Sequence, residues 1–169
     1  MRAPAAMRAA HRPSDAAHLA VSAKPGAAPP SESKALLARA RNAAYAEAAQ
    51  GRVGHGLGVL LDALESEPMS HDLLSDMAAL LLSAGKLDHA AAYAEQALQV
   101  FPLHGPSLYA LGFALSGKGE IDRAVGVLTE LTTGRARDSL LAEAPELLSV
   151  AQTELTRLQS LQGTDRAAA

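Results

Sequence analysis

Cysteine and tryptophan are absent from this chain, and aromatic residues make up only 3% of it. Without cysteine there is no disulfide framework, no thiolate metal site, no cysteine nucleophile and no lipidated cysteine anchor. An excess of one charge is also missing. The formal net charge is −3, which leaves no electrostatic footprint for nucleic acid. No apolar run approaches the roughly 18 to 20 residues that span a bilayer, so membrane insertion is not expected. What remains, in 169 residues with a hydrophobic fraction of 49%, is one domain's worth of chain dominated by alanine and leucine. Alanine costs least in a helix, and small side chains let helices approach closely, so an all-α stack suits this composition better than a sheet.

The first 33 residues differ from the rest. Pro4, Pro13, Pro25, Pro29 and Pro30 lie among alanines and serines without a sustained apolar period. Four basic residues minus two acidic give this stretch +2, whereas eleven minus sixteen give residues 34–169 a charge of −5. The composition reads as a disordered tail. The stretch His18-Leu19-Ala20-Val21 is too short and polar for a secretory signal, so a cytoplasmic location is expected. Arg2, Arg8 and Arg12 precede any acid and leave an organellar transit peptide as the alternative to a plain tail or an overextended start.

From residue 37 onward the chain repeats itself. Gly51, Gly85 and Gly119 stand 34 residues apart, as do Ala44, Ala78 and Gly112, and Leu60, Ala94 and Leu128. Pro68 and Pro102 close two units at the same interval, and the third has Ala136 there. That period and filling are the mark of a helix-turn-helix repeat, with units at about 37–70, 71–104 and 105–138. In the second unit Ser70 caps a helix starting at His71, with Asp72 in its first turn. Leu74, Met77, Ala78 and Leu81 form one stripe, Gly85 ends the helix, and Ala90, Ala94, Ala97 and Leu98 line the next. The third unit repeats this with Leu108, Leu111, Gly112 and Leu115, then Ile121, Ala124 and Leu128; Pro106 sits near its helix start. The first unit is weaker. Gly54, Gly56 and Gly58 open its second helix, each costing about 0.8 to 1 kcal/mol relative to alanine, so that helix is expected to fray or move. Pro145 is expected to begin a capping helix over about 145–162 carrying Leu148, Ala151, Leu155 and Leu158. Gly163 is expected to end it before a disordered 163–169.

These units resemble tetratricopeptide repeats. Leu74, Met77-Ala78, Leu81, Ala90 and Pro102 follow that family's pattern, as do Leu108, Leu111-Gly112, Leu115, Ala124 and Leu128. The match covers about residues 37–138; Ala94 departs from it, since the family prefers a bulky aromatic there. The resemblance implies an all-α fold, a right-handed α-solenoid of three repeats with a C-terminal capping helix. It also implies a concave groove, lined by the front helix of each unit, that holds a peptide or helix of a partner. Carried over by position, the groove shows Arg41, Asn42 and Tyr45, then Ser75, Asp76, Ala79, Leu82 and Ser83, then Tyr109, Ala110, Phe113 and Ser116. Tyr109 and Phe113 are four apart and on a different face from Leu108, Leu111 and Leu115, and aromatics in a concavity anchor binding.

A clamp for a carboxyl terminus, which some members of that family carry, is not expected. Arg41 stands alone, and Asp76 would repel a carboxylate. The expected ligand is apolar or amphipathic, with one acidic contact at Arg41. Burying two or three apolar side chains at about 1.5 to 3 kcal/mol each, less the cost of association, suggests micromolar affinity, on the order of −8 kcal/mol.

No site for catalysis, metal or cofactor is expected. His55 and His89 stand one period apart with no third ligand beside them, and His71 and His104 read as polar residues at unit junctions. The serines lack a nucleophile-elbow context. Gly51, Gly54, Gly56 and Gly58 are not followed by the Gly-Lys-Ser/Thr of a phosphate loop. The expected role is an adaptor or scaffold whose partner is another protein. Two alternatives are a secretion-type chaperone that keeps an exported partner soluble and a self-assembling component of a larger complex. In the second, the Leu148-Ala151-Leu155-Leu158 seam would support a homo-oligomer.

Overall fold

The computed structural model describes residues 30–167, and side chains over 32–163. The tail expected over 1–33 lies outside the described residues except for its last four. These already belong to the first helix, where Pro30 occupies a first-turn position that suits proline. Among the described residues eight helices follow one another: α1 Pro30–Ala49, α2 Val53–Ser66, α3 His71–Ser83, α4 Leu87–Val100, α5 Gly105–Gly117, α6 Ile121–Thr133, α7 Ala136–Glu143 and α8 Leu147–Ala167. No strand occurs among the described residues.

One turn chemistry makes the first three hairpins. Gly51, Gly85 and Gly119 adopt φ of 78°, 69° and 78°, a left-handed conformation that costs glycine least. Around each, the same pair of hydrogen bonds closes the preceding helix. Gly85 N–H donates to Leu82 O and Lys86 N–H to Leu81 O; Gly51 with Arg52 and Gly119 with Glu120 repeat the arrangement. These are Schellman closures, which satisfy carbonyls that the helix end leaves open. At the other end of α3, Ser70 Oγ accepts from Leu73 N–H at 3.4 Å, the expected cap.

The apolar stripes face inward. Leu74, Met77, Ala78 and Leu81 of α3, Ala90, Ala94 and Ala97 of α4, and Leu108, Leu111 and Leu115 of α5 are all buried. Each helix packs on the one before it, and α1, α3 and α5 also touch in series, forming one side of the molecule. In the first hairpin α2 runs unbroken through its three glycines. Gly56 is buried, and a Cβ there would lie 2.5 Å from Ala44 O. Glycine at this position is thus what lets α1 and α2 cross so closely. At the equivalent crossing of α5 and α6, a Cβ on Gly112 would lie 2.6 Å from Leu128 Cδ2.

The chain departs from the expected pattern after α6. Pro68 and Pro102 fall in turns, but Ala136, at the matching position, starts the unforeseen helix α7. Helix α7 buries Ala136 and Leu140 and packs on α5 and α6. Its approach to α5 is so close that a Cβ on Gly105 would overlap the Leu140 backbone, lying 2.5 Å from its Cα. Pro145 occupies the turn between α7 and α8, so the last helix starts at Leu147 rather than at the proline. Gly163 does not end that helix, which continues to Ala167; a helical glycine costs only about 1 kcal/mol. Ala151, Leu155 and Leu158 are buried as α8 packs along α6, so the suspected self-association seam is used within the chain.

Candidate functional site

The side formed by α1, α3 and α5 carries an open trough of about 490 Å³. Arg41 and Tyr45 line it from α1; Ser75, Asp76, Ala79, Leu82 and Ser83 from α3; Pro106, Tyr109 and Ala110 from α5. His104, just before α5, contributes as well, and Glu143, Ala144, Glu146 and Leu147 form a rim from the α7–α8 connection. That rim had no signal in the repeat pattern. Tyr45 remains 42% exposed despite lining the trough.

Three of the expected groove residues lie elsewhere. Asn42 is exposed on α1 and is not part of the trough lining. Phe113 stacks on Tyr109, ring centroids 4.4 Å apart and planes 30° from parallel. It lines a shallower neighbouring depression of about 320 Å³ with Ser149, Val150, Thr153 and Glu154. Ser116 donates to Glu154 and accepts from Arg157 Nη2 at 3.1 Å, so it fastens α5 to α8. The stacked pair therefore bridges two hollows, and α8 walls the second.

The charges in the trough are already matched. Arg41 Nε donates to Asp76 Oδ2, its Nη2 donates to Oδ1 at 3.3 Å, and Tyr45 Oη donates to Oδ1 at 2.8 Å. Burial raises the Asp76 pKa, and the Arg41 cation and two hydrogen bonds oppose that rise. The Tyr45 pKa is also raised, first by burial and then by the neighbouring carboxylate. Burial works against the Arg41 charge, but Asp76 outweighs it and the net shift is upward. The expected acidic contact at Arg41 thus has to compete with an internal carboxylate. Asp76, for its part, is a neutralised anion rather than a free repulsive one. The rim is charged as well: Glu146 is exposed, and Glu143 is exposed while its carboxylate also bonds His104 and Ser139.

A second cluster lies at the junction of α3, α5 and α7. His104 is buried at 1% exposure. Its Nδ1 is 2.7 Å from Ser107 Oγ and its Nε2 is 3.1 Å from Glu143 Oε2. His71 packs edge-on against it with ring centroids 4.9 Å apart, and Phe101 touches both rings. Asp72 Oδ1 lies 3.7 Å from His71 Nε2 and 4.0 Å from His104 Nε2. The two histidines read as separate junction residues therefore share one site. The spacing of His71 from His104, one short of the repeat, was the available clue.

No family model matches the chain, and no curated protein matches it in sequence. No helix among the described residues is long and apolar enough to cross a membrane.

Proposed function

We propose that the chain is a non-catalytic binding module of the tetratricopeptide-repeat type. Three hairpins form a right-handed solenoid, and its trough holds an apolar or amphipathic peptide or helix of another protein. Two observations support the repeat assignment: the left-handed glycines at 34-residue intervals, and the serial contact of α1, α3 and α5. The observation that carries the binding role is the trough itself. It is open to solvent, has the size of a few side chains, and is lined by Ala79, Leu82, Ala110 and the rings of Tyr45 and Tyr109. A soluble protein gains nothing in stability from leaving such a surface uncovered, whereas a partner's apolar side chains gain about 25 cal/mol per Å² on entering it.

The matched Arg41–Asp76 pair and the acidic rim give this ligand a polarity. A segment with apolar anchors and a basic residue directed at Glu143 and Glu146 fits the trough better than an acidic one.

The test is a photo-crosslinking side chain at position 109, used in the native cell to capture a partner, followed by binding measurements with purified proteins. A folded Tyr109→Ala/Phe113→Ala variant is expected to bind that partner at least tenfold more weakly. Unchanged affinity in the folded variant would remove the trough as the binding site.

A further inference from the structure

We propose that His71, Asp72 and His104 bind one divalent transition ion of the zinc class, with the remaining position open to water. This site does not depend on the binding role of the trough. One donor atom from each of these three residues lies within 4.8 Å of the other two. In a tetrahedral zinc site, metal–ligand bonds of roughly 2.0 to 2.2 Å place neighbouring donors about 3.3 Å apart. The spacings of 3.7 Å from His71 Nε2 to Asp72 and 4.0 Å from His104 Nε2 to Asp72 lie within about 1 Å of that value.

The surroundings fit the assignment. Ser107, itself fully buried, holds His104 Nδ1 at 2.7 Å, and this is the outer hydrogen bond by which a metal-ligating imidazole is oriented. With the proton on Nδ1, the His104 Nε2 lone pair faces two carboxylates, an arrangement that repels unless a cation lies between them. The alternative tautomer donates Nε2–H to Glu143 and needs no ion, so the two states respond differently to added metal. Two imidazoles with one carboxylate suit zinc and its neighbours, not magnesium or calcium, which take oxygen donors. The charges around the site are Asp72 within it, Glu143 beside His104, and Arg41, whose Nη1 is 4.0 Å from Asp72 but whose closer partner is Asp76. Phe101 shields one side through its contacts with both rings. An ion here would tie the start of α3 to the residue capping α5, which in turn contacts Glu143 at the end of α7.

The experiment uses the full chain without a histidine tag, titrated calorimetrically with zinc chloride in a magnesium-containing buffer, with melting curves in zinc and in chelator. One equivalent of zinc is expected to bind and, when saturating, to raise Tm by about 5 to 10 °C. His104 is buried, so its removal confounds folding. His71 is about one-third exposed, and His71→Ala and Asp72→Asn are therefore the informative variants. Each is expected to keep the chelator-state Tm within a few degrees while weakening zinc at least tenfold and abolishing the melting shift. His11→Ala/His18→Ala and His55→Ala/His89→Ala are expected to bind as the parent does. No zinc binding by the parent chain, parental affinity in both His71→Ala and Asp72→Asn, or loss of binding in either control pair would overturn the site.

Discussion

The Tyr45 phenol donates to Oδ1 of Asp76 at 2.8 Å, joining α1 to α3 beside the Arg41 ion pair. The Asp76 side chain is 6% exposed and that of Arg41 39%, so the two partners do not lose equally. Arg41→Ala strands a buried carboxylate and is expected to cost about 1 to 3 kcal/mol. Asp76→Asn leaves a cation that water reaches and is expected to cost about 1 kcal/mol or less. Urea unfolding of both single variants and the double variant checks this. The double variant is expected to be more stable than Arg41→Ala alone, and equal costs for the two single changes would contradict the asymmetry.

The glycines of α2 are expected to separate by position. A Cβ on Gly54 or Gly58 meets nothing within 4 Å, so alanine at either is expected to stabilise by about 0.5 to 1 kcal/mol. Gly56→Ala pushes a methyl group onto the Ala44 carbonyl and is expected to destabilise despite its better helix propensity. Thermal melts of the three variants read the sign directly.

The same logic applies two hairpins later. Gly112→Leu overpacks the α5–α6 crossing against Leu128 and is expected to cost about 1 to 3 kcal/mol. Gly126→Ala, in open space on α6, is expected to be neutral or stabilising. Chemical denaturation of both distinguishes a packed crossing from a loose one.

His104 supplies a pH dependence in chelator-treated protein. Burial lowers its pKa below 6.5; Glu143 and Asp72 pull it upward and His71 pulls it down. Folding therefore favours the neutral ring. Its contribution to stability is fully present above the unfolded pKa, near 6.5, and is lost as pH falls from there toward the depressed folded value. An NMR titration of the His104 ring is expected to give a midpoint below 6.5, with stability declining over the same interval. A midpoint above 6.5 would mean that the carboxylates outweigh burial.

Local, periodic chemistry is what made the fold readable. The turn glycines at 51, 85 and 119 and the stripes of α3 and α5 state their structure within a dozen residues each. Helix α7 was not readable, because Ala136 and Leu140 give a single four-residue step, too little to mark a helix, and its order comes from contacts with α5 and α6. Trough residues Tyr45, Ala79, Leu82 and Tyr109 followed from register, whereas Phe113 and Ser116 were displaced by where α8 lies. The Arg41–Asp76 pair left a usable trace: opposite charges 35 residues apart on successive front helices. The link from His104 to Glu143, 39 residues on, had none, because Glu143 belongs to the helix that broke the period.

Position 105 has a consequence for how the end of the molecule is fastened. Because α7 rests against a backbone with no side chain there, one added carbon would act as a wedge and lever that short helix outward. Glu143 and the Ser139 hydroxyl, which accepts from Gly105 N–H at 2.9 Å, would move with it. The latch that shuts the far end of the cleft is thus held by a single missing methyl.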